Sequence, residues 1–548
     1  QAAMLVGMAK NPALYNPRRR PELTEKRRNV VFRQMKRNKV LTAEEVDSLR
    51  QIPLKLEFQR ADHNEGLAPY FREYLRKYMR EWIANNPKAD STYYNLYTDG
   101  LKIYTTIHTR LQHYAEQAVE AHLSELQEDF YNHWKGVKNA PFSEDLLPSD
   151  IKRIMTQAMK RTDRYRALKK REASEAEIQK AFNTPVEMTL FSWSGEKDTV
   201  LSPMDSIRYY KFLLQTGFMS MEPQTGFVKA WVGGINHKYL KYDHVKDGGR
   251  QVGSTFKPFV YATAIDQKKY SPCYQVPNVK VTFEKEKWGL PEDWTPKNSG
   301  DSYGGMLTLK SALANSVNTV TARLMKQVGP SQVVRLAELM GLDVSDIPAV
   351  PSICLGTPDV SVFEMVGAYS TFANRGIYTQ PVMVTRITDK NGIVLYEYQP
   401  ETREVLSEEV AYSMINLLQG VTEPGGSGYR LRFKYNFSNA IAGKTGTTQN
   451  HSDGWFIGMV PNLVSGVWVG CEDRSVHFRT ITLGQGANMA LPIWAEFMKR
   501  AYNDPTLTIS KDDFRAPRQG MSIELDCDTY NQGQLNRNFG DFGDHPEF

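Results

Sequence analysis

Residues 217–232, GFMSMEPQTGFVKAWV, read as a strand, a turn and a second strand. Apolar residues fill both flanks. Between them Pro223-Gln-Thr-Gly226 supplies turn chemistry: proline fixes one backbone dihedral, and glycine is free to take the left-handed region. Upstream of Gly217 the chain is polar and helical in texture. Downstream, helical periodicity over 255–268, 306–328 and 361–374 is interleaved with strands near 381–398 and 453–471. That order predicts an α/β chain in which a sheet is flanked by a large helical part.

Working outward, residues 1–50 read as two or three short helices. Ala2-Ala3-Met4-Leu5-Val6-Gly7-Met8 looks like the middle of a helix, so the chain is expected to be cut from a longer polypeptide. Pro17 and Pro21 separate it from a basic helix, Glu25 to Asn38, with Val30, Val31 and Met35 on one stripe. Residues 67–85, LAPYFREYLRKYMREWIAN, carry aromatics and leucines at helical spacing. A strand-like stretch, Leu101 to Ile107, leads into a helix from Thr109 to Leu126. Residues 127–200 are helix-rich, and the charged run from Lys160 to Lys180 reads as a solvated face. The last forty residues, rich in Asp, Asn, Gln and Gly, read as a weakly ordered tail.

The 548 residues imply three to four domains at about 150 residues each. With 41% hydrophobic and 11% aromatic residues there is ample material for packed cores. No run approaches the ~18 consecutive apolar residues of a membrane span. Net charge is +6, but residues 1–40 carry eleven Lys and Arg against two Glu, so the remainder is slightly acidic. One short basic segment is a poor fit to an extended nucleic-acid-binding face. Cys273, Cys354, Cys471 and Cys527 lie far apart, with no C-x-x-C, and are expected to be isolated buried thiols. There is no H-E-x-x-H; neither a metal nor a cofactor is expected.

Three motifs carry chemistry. Ser254-Thr-Phe-Lys257 follows Gly248, Gly249 and Gly253 and opens an apolar helix. A serine at a helix N-terminus sits near backbone N–H groups, and a lysine three residues on lies one turn away on the same face. If burial lowers the lysine's pKa, its neutral amine can take the serine proton. The same spacing occurs at Ser149-Asp-Ile-Lys152 and Ser194-Gly-Glu-Lys197, where a helix N-cap and a turn are the simpler readings. Ser316-Val-Asn318 precedes a helical run, and Lys444-Thr445-Gly446-Thr447 looks like an exposed strand whose glycine lets a ligand backbone approach. Each is weak alone. Together, in this order, they are specific.

With their surroundings, Arg250-Gln-Val-Gly-Ser-Thr-Phe-Lys-Pro258, Trp294-Thr-Pro-Lys-Asn298 and Asp453-Gly-Trp-Phe-Ile-Gly458, these motifs resemble the class A penicillin-binding proteins, bifunctional enzymes that polymerise and cross-link peptidoglycan. Ala2 to Pro17 resembles the end of that family's glycosyltransferase domain, and Ala68-Pro-Tyr-Phe71 and Tyr104-Thr-Thr-Ile107 resemble its linker. The resemblance implies an α+β transpeptidase domain of the penicillin-binding and serine β-lactamase type, with an antiparallel sheet flanked by helices. It divides the chain into a mostly helical glycosyltransferase remnant (1–60), a linker with a helical insertion (61–204), the transpeptidase domain (205–505) and a tail (506–548).

The resemblance also implies roles. Ser254 would attack the penultimate D-Ala carbonyl of a stem peptide, with Lys257 as its base. Ser316 would relay the proton, and Asn318 would hold the donor's amide. Lys444, Thr445 and Thr447 would bind the terminal carboxylate, with Gly446 between them. The N–H groups of Ser254 and Thr447 would form an oxyanion hole. An amine from a neighbouring stem peptide would resolve the acyl-enzyme; β-lactams would acylate the same serine and stay. Lipid-linked glycan and the membrane would be partners of the full-length protein only, at the extracytoplasmic face of a bacterial envelope.

The family's glycosyltransferase Glu belongs to an E-D-x-x-F-x-x-H setting well upstream of this chain's opening segment. Glu128-Asp-Phe-Tyr-Asn-His133 misplaces both Phe and His, so this chain is not expected to polymerise glycan. The Asp usual after the linker's Thr-Thr-Ile is His108 here. A D,D-carboxypeptidase or serine β-lactamase would share the nucleophile but deliver water, and no second base for that water is evident. A non-catalytic β-lactam sensor or wall-assembly scaffold would have no need of the lysines.

Overall fold

The structure is a computed structural model that describes residues 1–56 and 66–540, with side chains to 533. Its core element is a five-stranded antiparallel sheet of β1 (Leu214–Met221), β2 (Val228–Val232), β3 (Ala442–Thr447), β4 (Asp453–Val460) and β5 (Leu463–Cys471), in the order β3-β4-β5-β1-β2. β4 and β5 are buried along their whole length because helices cover both faces. Side chains alternate accordingly. Met219, Trp455, Ile457 and Met459 join one core, whereas Phe218, Phe456 and Val460 join the other.

The helices that matter for the site are α1 (Pro69–Asn85), α2 (Thr109–Trp134), α3 (Lys257–Lys268), α4 (Leu309–Ala314), α5 (Asn318–Val328), α6 (Val362–Ala373), α7 (Glu408–Gly420) and α8 (Leu491–Asn503). α3, α5, α6 and α7 fill the first core, and α2 and α8 the second. α6 starts where Ser361 and Glu364 form a reciprocal capping box. α2 runs eight residues past its expected end at Leu126, and that extension buries Phe130 and Trp134. Two buried glutamines on α2 fix the sheet's position. Gln112 exchanges hydrogen bonds of 2.7 and 2.8 Å with the Trp231 backbone, satisfying edge strand β2, and Gln127 accepts from the Leu214 N–H at 2.8 Å.

Contacts divide the chain into two compact units, residues 1–65 and 66 onward. The first contains helices Ala2–Ala9, Pro21–Arg37 and Ala43–Gln51 around Ala3, Phe32 and Val46. In the second, three helices spanning Pro148–Asn183 precede a hairpin, Val186–Ser192 with Gly195–Leu201, that the reading of 127–200 as helix-rich omitted. No helix among the described residues is long and apolar enough to cross a membrane.

Several expectations are corrected. The periodic run 306–328 is not one helix: a short strand and α4 precede a break at Ser316, whose φ of 57° is left-handed, before α5 begins. Such a backbone costs a non-glycine residue about 1 kcal/mol or more. Cys273 and Cys527 form a disulfide across 254 residues, so only Cys354 and Cys471 are buried free thiols. That bond also overturns the weakly ordered tail as far as Cys527. Phe514 and Ile523 are buried in the first core, and the Glu409 carboxylate accepts backbone N–H groups from Ser522 and Ile523. Spacing could not reveal a cross-link that only the tertiary fold brings together.

Candidate active site

Ser254 lies in a 3-10 turn, Gly253–Phe256, that runs directly into α3. Gly253 has φ +52°, and a Cβ there would come within 2.8 Å of the Thr447 carbonyl oxygen and 3.2 Å of its nitrogen. Glycine is therefore required for the Ser254 turn to abut β3. Pro258, in the first turn of α3, has no N–H to leave unsatisfied.

Four of the sequence-selected residues converge. Lys257 is wholly buried; its Nζ donates to the Ser316 carbonyl at 2.5 Å and to Asn318 Oδ1 at 2.6 Å, and lies 3.1 Å from Ser316 Oγ. Lys444, equally buried, approaches the same Oγ at 3.1 Å and donates to the Thr445 carbonyl at 3.0 Å. The left-handed break at Ser316 thus offers its carbonyl and hydroxyl to two lysines from different elements. Burial pulls Lys257 down to about 7, opposed by the neighbouring Cys354. Lys444 is pushed well below the usual lysine range, first by burial and then by Lys257.

The K-T-G strand lies at a sheet edge, but it is not exposed as its sequence suggests. Lys444 is 0% and Thr445 6% accessible. The cover comes from distant sequence: the 3-10 turn on one side and Gly486, whose N–H donates to Thr447 Oγ1 at 3.0 Å, on another. The reason proposed for Gly446 also changes. A Cβ there would meet the Val252 carbonyl oxygen at 2.8 Å and Thr255 Cγ2 at 2.9 Å, so the glycine admits the chain's own Ser254 turn. Of the two decoys, Ser194 sits in the Ser192–Gly195 hairpin turn, whereas Ser149 is inside a helix first turn whose N-cap is Leu147.

Residues without an assigned role complete the site. Asn298 Oδ1 accepts the N–H groups of Asn318 and Thr319 at 3.0 and 3.1 Å, capping α5 from outside, and Asn298 is itself held by Asn278 at 2.8 Å. Arg250 Nε donates to buried Asp453 Oδ1 at 2.8 Å, while its guanidinium stacks 4.5 Å from the Trp468 ring centroid. Trp468 Nε1 and Ser452 Oγ complete the Asp453 carboxylate at 3.0 and 2.7 Å. This network ties the segment entering the Ser254 turn to β4 and β5. A cavity of about 860 Å³ beside Gln224, Phe372 and Arg515 has none of the motif residues in its walls.

A wholly buried Lys257 one turn after the half-buried Ser254, a second buried lysine and a sheet-edge strand are the arrangement of a penicillin-binding transpeptidase domain. The family profile described as the penicillin binding protein transpeptidase domain matches residues 216–471, and that of the penicillin-binding protein middle domain matches 137–214. Penicillin-binding protein 1A of Aquifex aeolicus is 29% identical over 537 residues, covering 96% of this chain and 68% of the relative. Penicillin-binding protein 1A of Neisseria gonorrhoeae is 28% identical over 534 residues, 91% of this chain and 64% of the relative. This chain thus spans about two thirds of the length of these relatives. The crystal structure of penicillin-binding protein 1A from Haemophilus influenzae shares the fold, with a TM-score of 0.65 at 22% identity over 94% of this chain and 81% of that one. Over nearly its whole length the chain is thus similar to penicillin-binding proteins 1A, with the transpeptidase-domain match at 216–471.

Proposed function

We propose that this chain cross-links peptidoglycan stem peptides as a D,D-transpeptidase through an acyl-enzyme on Ser254. The observation that carries the reading is the buried Lys257 amine, drawn to about 7 and held against Ser316 and Asn318. Neutral Lys257 accepts the Ser254 proton as Oγ attacks the penultimate D-Ala carbonyl. The oxyanion is held by the Ser254 and Thr447 N–H groups. Ser316 passes the proton to the departing D-Ala nitrogen, and the C–N bond breaks. An acceptor amine then attacks the ester and gives up a proton to Lys257, which passes it to Ser254 Oγ as the C–O bond breaks and the cross-linked peptide leaves. Lys444, Thr445 and Thr447 bind the donor's carboxylate, and Asn318 its amide.

β-Lactams acylate the same serine. The Cys273–Cys527 disulfide favours an oxidising compartment, in keeping with the extracytoplasmic face of the envelope. Residues 1–60 are read as the end of a glycosyltransferase domain, 61–204 as linker and 205–505 as the transpeptidase. Glycan polymerisation, lipid-linked substrate and membrane attachment are assigned to the full-length protein. Labelled penicillin will attach covalently, and Ser254→Ala will abolish the adduct; label on Ser149 or Ser194 refutes the assignment. With stem-peptide substrates, peptide dimers are expected. Free D-Ala with monomers alone would indicate carboxypeptidase action.

A further inference from the structure

The loop between α7 and β3 contains Glu423-Pro-Gly-Gly-Ser427-Gly428 and contributes none of the three motifs, yet it joins two of them. Ser427 Oγ lies 2.7 Å from Thr445 Oγ1 in the K-T-G strand. The Ser427 N–H donates to the carbonyl of Ala314, two residues before Ser316, at 3.1 Å. The loop is set rigidly for this. Gly425 has φ +87°, and a Cβ on Gly426 would come within 2.3 Å of the Val421 carbonyl oxygen, so only glycine folds the chain so tightly there. The Gly428 N–H bonds back to the Val421 carbonyl at 2.8 Å, and Glu423 pairs with Lys310 on α4 at 3.2 Å. The half-buried Ser427 therefore bridges the segment that carries Ser316 and the strand that carries Lys444.

A threonine hydroxyl has one proton. If Thr445 gave it to Ser427, none would remain for a ligand. We propose that Ser427 is a positioning residue for carboxylate recognition: its hydroxyl donates to Thr445 Oγ1, which frees the Thr445 O–H to donate to the carboxylate of a donor peptide or β-lactam. The inference rests on the roles given to Ser254, Lys444 and Thr445 above. Its effect is specific to a charged acceptor, because hydrogen bonds to ionised groups are roughly twice as strong as neutral ones.

The test is the second-order rate of Ser254 acylation by a labelled penicillin and by its methyl ester. Wild-type labelling at Ser254 is the control for the functional reading, so its absence would overturn that reading and not only this one. In S427A the carboxylate penicillin is expected to react about tenfold more slowly and the ester within about twofold of wild type. S427T, which keeps the hydroxyl, restores the rate; S427C, close in size but a weak donor, does not. T445V loses at least as much as S427A, and adding S427A to it costs nothing further. Equal losses on both substrates, full additivity with T445V, or an unchanged S427A rate would each overturn the proposal.

Discussion

Acidification should switch off acylation of Ser254 well before it unfolds the protein, because the reaction depends on neutral Lys257. Burial without a carboxylate partner penalises the ammonium form and brings this lysine to about 7. The neutral fraction is then about one half at pH 7 and about 1% at pH 5, a fifty-fold difference, whereas an ordinary lysine near 10.4 would be less than about 0.1% neutral at pH 7. Burial therefore supplies roughly a thousandfold in usable base. The assay is the second-order rate of labelling by a penicillin between pH 5 and 8 at constant ionic strength, a range over which the antibiotic's carboxylate stays ionised. The rate should climb about tenfold per unit below 7 and level off by 8. Lys257→Arg, which keeps the charge, should be inactive throughout. Stability moves in the same sense, over a higher pH window. Between the folded value near 7 and the unfolded value near 10.4 the unfolded chain binds more protons, so stability rises with pH, and the buried amine is a net cost at neutrality. Lys257→Met should abolish acylation and melt no lower than wild type. A flat profile from pH 5 to 8 would refute the base assignment.

Two further perturbations follow from the scaffold. Removing Arg250 leaves the Asp453 carboxylate buried and unpaired, so Arg250→Ala should cost about 3–5 kcal/mol in thermal unfolding; an unchanged melting temperature would show that water reaches Asp453. Loss of the Cys273–Cys527 bond, in C273S/C527S or under reductant, should cost up to about 5 kcal/mol by loop entropy over its 254-residue span and open residues 505–526 to protease. Identical melting and digestion with and without the bond would show that packing of Phe514 and Ile523 holds that segment unaided.

The motif-bearing residues were legible because each is tied to local structure that the sequence writes openly: a glycine-rich approach to a helix for Ser254, a helix start for Asn318, a strand with its glycine for Lys444. The apolar runs on either side of the Pro223–Gly226 turn, and the strand-like stretch 453–471, likewise announced the sheet. What escaped depends on contacts between residues remote in sequence. The burial of the K-T-G strand comes from a turn some 190 residues earlier and from Gly486. The partner of Cys273 is 254 residues away. Ser427 meets Thr445 only because two glycines fold its loop back onto α4. The helix break at Ser316 was hidden for another reason: apolar periodicity continues across it, and a left-handed serine leaves no mark in composition.

That serine also accounts for two lysines sharing one buried site. Both are driven toward neutrality, yet their repulsion is relieved when only one gives up its proton. The hydrogen bonds select which. A neutral amine has two N–H groups and a lone pair, and Lys257 has two short acceptors, the Ser316 carbonyl at 2.5 Å and Asn318 Oδ1 at 2.6 Å. Its lone pair is then left for the Ser254 proton, while Ser316 Oγ, 3.1 Å from both amines, accepts from Lys444. Were both lysines charged, Ser316 would receive two ammonium donors. On the proposed assignment, a ligand carboxylate beside Lys444 would favour its charged form and, through repulsion, the neutral form of Lys257.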